Sequence, residues 1–180
     1  DVLVWEDVEV GTPGSDQVLI SHNAVGLNYI DVYQRSGAYP VGEMPRPLGM
    51  EGAGVIESVG SGITEFAGGD RVAYAMELGS YGEKRVMGTD KLVKLPDAVD
   101  DQTAAAMMLQ GMTARYLLKC SYPVQPGDTI LVMAAAGGVG LILSQWANHL
   151  GATVIGCVST EEKAERARAE AATKAASGLQ

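Results

Sequence analysis

Thr129-Ile-Leu-Val-Met-Ala-Ala-Ala-Gly-Gly-Val-Gly140 is the stretch whose reading decides the fold. Thr129–Met133 is a short apolar run of the kind buried strands use, and Ala134–Val139 is a glycine-rich loop. A helix is expected from Gly140 to Leu150, ending at Gly151, and a second buried strand at Thr153–Val158. Ala135, Gly137 and Gly140 fall on the three positions of G-x-G-x-x-G, with Ala in the first. In that motif the chain turns sharply out of a strand, the middle position lets backbone approach a pyrophosphate, and the last lets helix pack on strand. The free N–H groups of the helix then meet the phosphate charge. Strand before, helix after and a second strand beyond are the context such a loop needs, so Ala136, Gly137, Gly138, Val139 and Gly140 are candidate dinucleotide ligands.

On the C-terminal side, the second strand runs into Ser159-Thr160-Glu161-Glu162-Lys163. A site for NADH usually places an acid at the strand end to hold the ribose hydroxyls. Here Ser159, Thr160 and Lys163 offer two hydroxyls and an ammonium to a 2'-phosphate, which points to NADPH. Glu161 and Glu162 argue the other way, but they lie in a first helical turn, where acids are ordinarily favoured. Ser159 and Thr160 serve equally well as helix caps. A helix rich in Glu, Lys, Arg and Ala is expected over Thr160–Ala176.

On the N-terminal side the pattern changes. Val2–Val10, Gln17–Ala24, Gly52–Val59, Arg71–Met76 and Lys91–Lys94 read as short strands between turn clusters such as Gly11-Thr12-Pro13-Gly14 and Gly68-Gly69-Asp70. A small antiparallel barrel interrupted by one helix, Asn28–Ser36, fits that spacing, and Gln102–Leu118 reads as a linking helix. The expected division is therefore 1–100 and 101–180, in a mixed α/β chain.

Composition narrows the partners. A net charge of -9 leaves no general basic face for nucleic acid or an anionic membrane. No apolar run reaches the length of a membrane span, and no charged leader precedes the first strand, so a cytoplasmic protein is expected. Cys120 and Cys157 read as two free buried thiols in a reducing compartment. His22 and His149 read as ordinary strand and helix residues, and Asp70-Arg71 as a turn with a local ion pair.

Four further stretches carry a family resemblance: Val25–Pro40, Pro47–Val55, Gly69–Tyr74 and Leu109–Ala114. Together with the glycine loop they resemble, in order, the quinone oxidoreductase (zeta-crystallin-like) branch of the medium-chain dehydrogenase/reductase superfamily. The resemblance implies a GroES-like β-barrel catalytic domain followed by a Rossmann domain, and NADPH-driven reduction of quinones or other electron-poor small molecules. It places Asn28, Tyr33 and Tyr39 towards the substrate and nicotinamide, and Gln110 and Thr113 near the nicotinamide ribose. The zinc enzymes of the superfamily hold their metal with two Cys and a His; the matching positions here are Asn28, Met50 and Gln110, so no metal is expected. Two departures stand out. The family's first strand is missing before Asp1, and the tail from Ala169 to Gln180 extends or ends a helix where a third Rossmann strand belongs. The chain therefore reads as the first half of that nucleotide-binding domain and as part of a larger enzyme, with a truncated or rearranged chain as alternatives. Complete members are expected to be homodimers. An enone or enoyl-thioester reductase, or a non-catalytic dinucleotide-binding protein, remains open beside the quinone reductase.

Overall fold

The computed structural model describes residues 3–43, 45–170 and 174–177. Its backbone divides into two units, Asp1–Leu109 and Gln110–Gln180.

In the first unit five strands form one antiparallel sheet: β1 (Gln17–Val25), β2 (Glu51–Val59), β3 (Arg71–Ala75), β4 (Lys84–Gly88) and β5 (Val93–Lys94), in the order β4-β1-β2-β3-β5. Alternation decides which face is buried. Val18 and Ile20 on β1, Ile56 on β2, Val72 and Tyr74 on β3 and Met87 on β4 point the same way and form the main cluster. Helix α1 (Tyr29–Ser36) lies between β1 and β2 in the chain and stops at Gly37. Gly37 takes the left-handed conformation at φ 80°, which glycine adopts without a Cβ penalty. The fully buried members of a second cluster are all alanines: Ala53 and Ala73, opposite each other on β2 and β3, meet Ala104 and Ala105 of helix α2 (Asp101–Arg115), with Leu95, Val99 and Met108 packed against them. Gly26 belongs to the same close approach, because a Cβ there would run into the Ala105 carbonyl and the Glu51 side chain.

Polar side chains pin this packing. Arg71 pairs with Asp101 at 2.7 Å and donates to the Val99 carbonyl at 2.6 Å, while Asn23 donates to the other Asp101 oxygen at 2.7 Å. Asp70 pairs with Lys94 at 2.7 Å, so Asp70 and Arg71 make separate ion pairs and not the local one expected. His22 sits between the Gly82 carbonyl at 2.6 Å and the Tyr74 hydroxyl at 2.8 Å, and burial lowers its pKa. That holds the ring neutral, with Nδ1–H donating and Nε2 accepting.

The second unit carries a π-helical turn (Tyr116–Ser121) directly after α2, then β6 (Thr129–Met133), α3 (Gly138–His149), β7 (Thr153–Val158), α4 (Glu161–Glu170) and β8 (Lys174–Ser177). The three strands are parallel, in the order β6-β7-β8. Val132, Val154 and Val158 pack against Leu143 and Ala147 of α3 and Ala164 and Ala167 of α4. Strands joined by helices in this way are the βαβ units read from the glycine loop.

Several expectations are corrected. The third parallel strand, expected to be replaced by helix up to Ala176, is present: α4 ends at Glu170, and Lys174–Ser177 pair with Ile155–Val158. Alanine is the strongest helix former, but helix propensity is a weak bias, and an available parallel strand edge overrides it. Leu3–Val10 form no strand, since this run finds no neighbour to pair with and leaves Leu3, Val4, Trp5 and Val8 exposed. Val2, the first residue of that expected strand, lies outside the described residues. Strand β4 went unread because Lys84-Arg85-Val86-Met87-Gly88 commits just one residue, Met87, fully to the core. The expected strand Lys91–Lys94 shortens to Val93–Lys94. The linking helix stops being α-helical at Arg115, and Cys120 is exposed in the π-helical turn, so only Cys157 is a buried free thiol.

Candidate functional site

The candidate residues read from the sequence fall into two groups, one in each unit. In the first, Asn28 is the N-cap of α1 and is buried. Its backbone N–H donates to Asp31 Oδ2 at 2.8 Å, the return half of a capping box. Its side-chain Nδ2 donates to Glu51 Oε1 at 2.5 Å. Glu51 is 0 % exposed, and its other oxygen accepts the Leu109 N–H at 2.6 Å. Burial pushes the Glu51 carboxyl above the ordinary glutamate range; the Leu109 and Asn28 donors pull against that shift, and the Asp31 charge adds to it. Asp31 also accepts the Tyr81 hydroxyl at 2.7 Å. Desolvation first and this hydrogen bond second push the Tyr81 phenol far up, so Tyr81 stays protonated and donates. Gln34, one turn along α1, donates to the Met50 sulfur at 3.5 Å.

Tyr33 and Tyr39 leave this buried knot for the surface. Their ring centroids lie 5.0 Å apart, and Tyr29, unmarked in the sequence reading, stands edge-on to Tyr33 at the same distance. The Tyr39 N–H donates to the Tyr33 carbonyl at 3.1 Å, which ties the loop after Gly37 back to the helix. Aromatic residues at helical spacing normally face a core; these three are exposed instead, and that could not be told from spacing alone.

In the second unit the loop after β6 opens α3 at Gly138, two residues before the expected start, with Gly137 as an extended N-cap. The three glycines have different surroundings. A Cβ on Gly140 would strike the Ala134 carbonyl and come within 2.8 Å of the Ala135 Cα, so Gly140 admits backbone. One on Gly138 would strike the amide of Gln110. One on Gly137 would meet only the Ala134 oxygen, at 3.1 Å, which leaves this backbone open to a ligand. Val139 lies in the first turn between them. Ala134 itself holds φ 51°. That left-handed conformation costs an L-residue about 1 kcal/mol. The Ala134 carbonyl accepts the Gly137 N–H at 2.8 Å and so closes the turn. Ala134→Val is expected to lose about 2 kcal/mol in urea denaturation. Ala134→Gly should stay within about 1 kcal/mol of the unaltered chain, because the relief of strain offsets the added chain entropy.

Beside this loop lies a cleft of about 340 Å³ lined by Met133, Ala134, Ala136, Gly137, Cys157, Val158, Ser159 and Lys163. Lys163 Nζ donates to Ser159 Oγ at 3.0 Å, which brings an ammonium and a hydroxyl together at the end of β7. Thr160 does not line the cleft. Its hydroxyl accepts the Lys163 backbone N–H at 3.3 Å and acts as a helix cap. Met133, Ala134, Cys157 and Val158 were not read from the sequence as lining residues. The rule that ligands gather at the carboxyl ends of parallel strands would have found them. Gln110 and Thr113 are half-buried on α2. No group of three or more His, Cys, Asp or Glu among the described residues could hold a metal ion, and no helix there is long and apolar enough to cross a membrane.

The alcohol dehydrogenase GroES-like domain matches residues 14–119. The chain is 52% identical over 169 residues to a quinone oxidoreductase of Pseudomonas aeruginosa, covering 93% of this chain and 52% of that one. It is 51% identical to a 2-haloacrylate reductase of a Burkholderia species, with the same coverage. An Escherichia coli quinone oxidoreductase solved in complex with NADPH superposes with a TM-score of 0.92 at 42% identity, over 94% of this chain and 52% of that one. The chain belongs to the alcohol dehydrogenase GroES-like family, in the quinone oxidoreductase branch of the medium-chain dehydrogenase/reductase superfamily. It spans about half the length of the curated relatives it matches.

Proposed function

We propose that the chain binds NADPH through its second unit and, with the first as the catalytic unit, takes part in hydride reduction of a quinone without a metal ion. The observation that carries this reading is the cleft itself: a glycine loop with one face open at Gly137 leads to Lys163 and Ser159 at the end of β7. Gly137 and the first turn of α3 would receive the pyrophosphate, and Lys163 with Ser159 the 2'-phosphate. Bound NADPH would supply the hydride. The protein's part is then to orient the acceptor and to donate hydrogen bonds to an oxygen gaining charge. Tyr33 and Tyr39, both exposed, offer hydroxyls for that purpose, and Asn28, held by Glu51, fixes the start of the helix that carries Tyr33. Metal independence is supported by chemistry. The Asn28 amide is bonded to Glu51 and the Met50 thioether to Gln34, and neither is a competitive zinc ligand beside thiolate or imidazole.

A second reading is reduction of an electron-poor alkene, which the Burkholderia relative's name favours. NADPH oxidation measured with quinones and with 2-haloacrylates in parallel separates the two; turnover with neither, at saturating NADPH, would refute both. For the cofactor, Lys163→Ala is expected to weaken NADPH binding about tenfold, which is about 1.4 kcal/mol, and NADH binding less than twofold. Equal loss for both cofactors in calorimetric titration would remove Lys163 from the phosphate site.

A further inference from the structure

Gln110 is the last of the three positions matched to the superfamily's zinc ligands, and its amide lies against a place where no side chain fits. A Cβ built on Gly138 would strike Gln110 Oε1, with Cδ at 2.7 Å and Nε2 at 2.9 Å. No other atoms crowd Gly138 so closely, whereas Gly140 is hemmed in by loop backbone. Gly138 is also the first residue of α3, directly after an N-cap that has no side chain of its own to cap the helix. A polar group from α2 therefore rests against the first residue of α3, next to Gly137, which lines the cleft.

We infer that Gly138 is glycine in order to seat the Gln110 amide, and that Gln110 is a positioning residue for the cofactor loop. The amide fixes the first turn of α3 and so the direction in which its N–H groups meet a pyrophosphate. The general account of such loops assigns glycines to the turn, to phosphate approach and to helix–strand packing. Here one of them answers to a side chain. The inference rests on the proposed dinucleotide site.

The interlock makes a specific demand on a double-mutant cycle. Because the amide is the far end of a flexible side chain, Gly138→Ala can displace it without unfolding the loop, and should then resemble Gln110→Ala. Each single variant is expected to weaken NADPH binding about fivefold in calorimetric titration, with the melting temperature changed by only about 2 °C. The double variant should bind no more weakly than the weaker single, because both changes remove the same contact. Gln110→Glu, which carries a charge of the wrong sign to the phosphate site, should be worse than Gln110→Ala. If the double variant loses the product of the two single effects, Gly138 serves the phosphate directly and the inference is wrong. It is also wrong if Gln110→Ala binds like the unaltered chain. Absence of NADPH binding by the unaltered chain would overturn the dinucleotide site together with this inference; additive losses overturn the inference alone.

Discussion

Glu51→Ala is expected to cost roughly 3 kcal/mol or more, the largest loss of any single change in the first unit. The carboxylate is fully buried, and its two oxygens receive the Asn28 amide at 2.5 Å and the Leu109 N–H at 2.6 Å. Truncation leaves both donors without that acceptor and opens a cavity beneath Gly26. Glu51→Gln preserves the shape and one acceptor, so about half that loss is expected. A pH dependence separates the two variants further. Burial raises the folded carboxyl above its unfolded value, so the folded state holds its proton more tightly. The contribution is therefore complete below the unfolded glutamate value, about 4.3, and is lost as the pH rises through the folded one. Urea denaturation of the unaltered chain and of Glu51→Gln should give stabilities whose difference shifts against the unaltered chain across that window. A difference independent of pH would mean that Glu51 is not strained by its burial.

Gly140→Ala should be the most damaging change in the second unit, with about 2–3 kcal/mol lost and NADPH binding weakened at least tenfold. The new methyl would meet the Ala134 carbonyl and the Ala135 backbone, with Cα at 2.8 Å and the carbonyl carbon at 2.9 Å. None of these atoms belongs to a flexible side chain, so either the loop or α3 must move. Val139→Ala, next to it, removes atoms without adding any and serves as the control for stability alone. Gly137→Ala makes the complementary case, because its methyl meets only the Ala134 oxygen at 3.1 Å. Its stability should change by less than about 1 kcal/mol while NADPH binding falls. Equal melting temperatures for Gly140→Ala and the unaltered chain would show that the loop is softer than its contacts imply.

The sequence was most legible where one local signal had one physical meaning. Thr129–Gly140 announced strand, loop and helix together, and β1, β2, β3, β6 and β7 appear within a residue or so of their expected bounds. It was least legible where pairing across the fold decides. Lys84–Gly88 becomes a strand because β1 lies beside it, while Leu3–Val10, with better β-forming residues, stays unpaired. The segment Lys174–Ser177 reads as helix by composition and joins β7 as a strand. At the site, the spacing of the glycines could be read, but not that Gly138 faces a side chain and Gly140 faces backbone. Asn28 and Met50 could be matched to positions, but their partners Glu51 and Gln34 lie 23 and 16 residues away in the chain.

The four alanines between the sheet and α2 impose a different kind of constraint. Ala53, Ala73, Ala104 and Ala105 are held together by an upper limit on volume, not by any chemistry they share. Over evolutionary time such positions can drift among glycine, alanine and serine at little cost, yet they remain closed to valine or leucine, because the helix cannot retreat without releasing the Leu109 N–H from Glu51. A library randomised at these four codons should therefore return only small residues, with no preferred pattern among them.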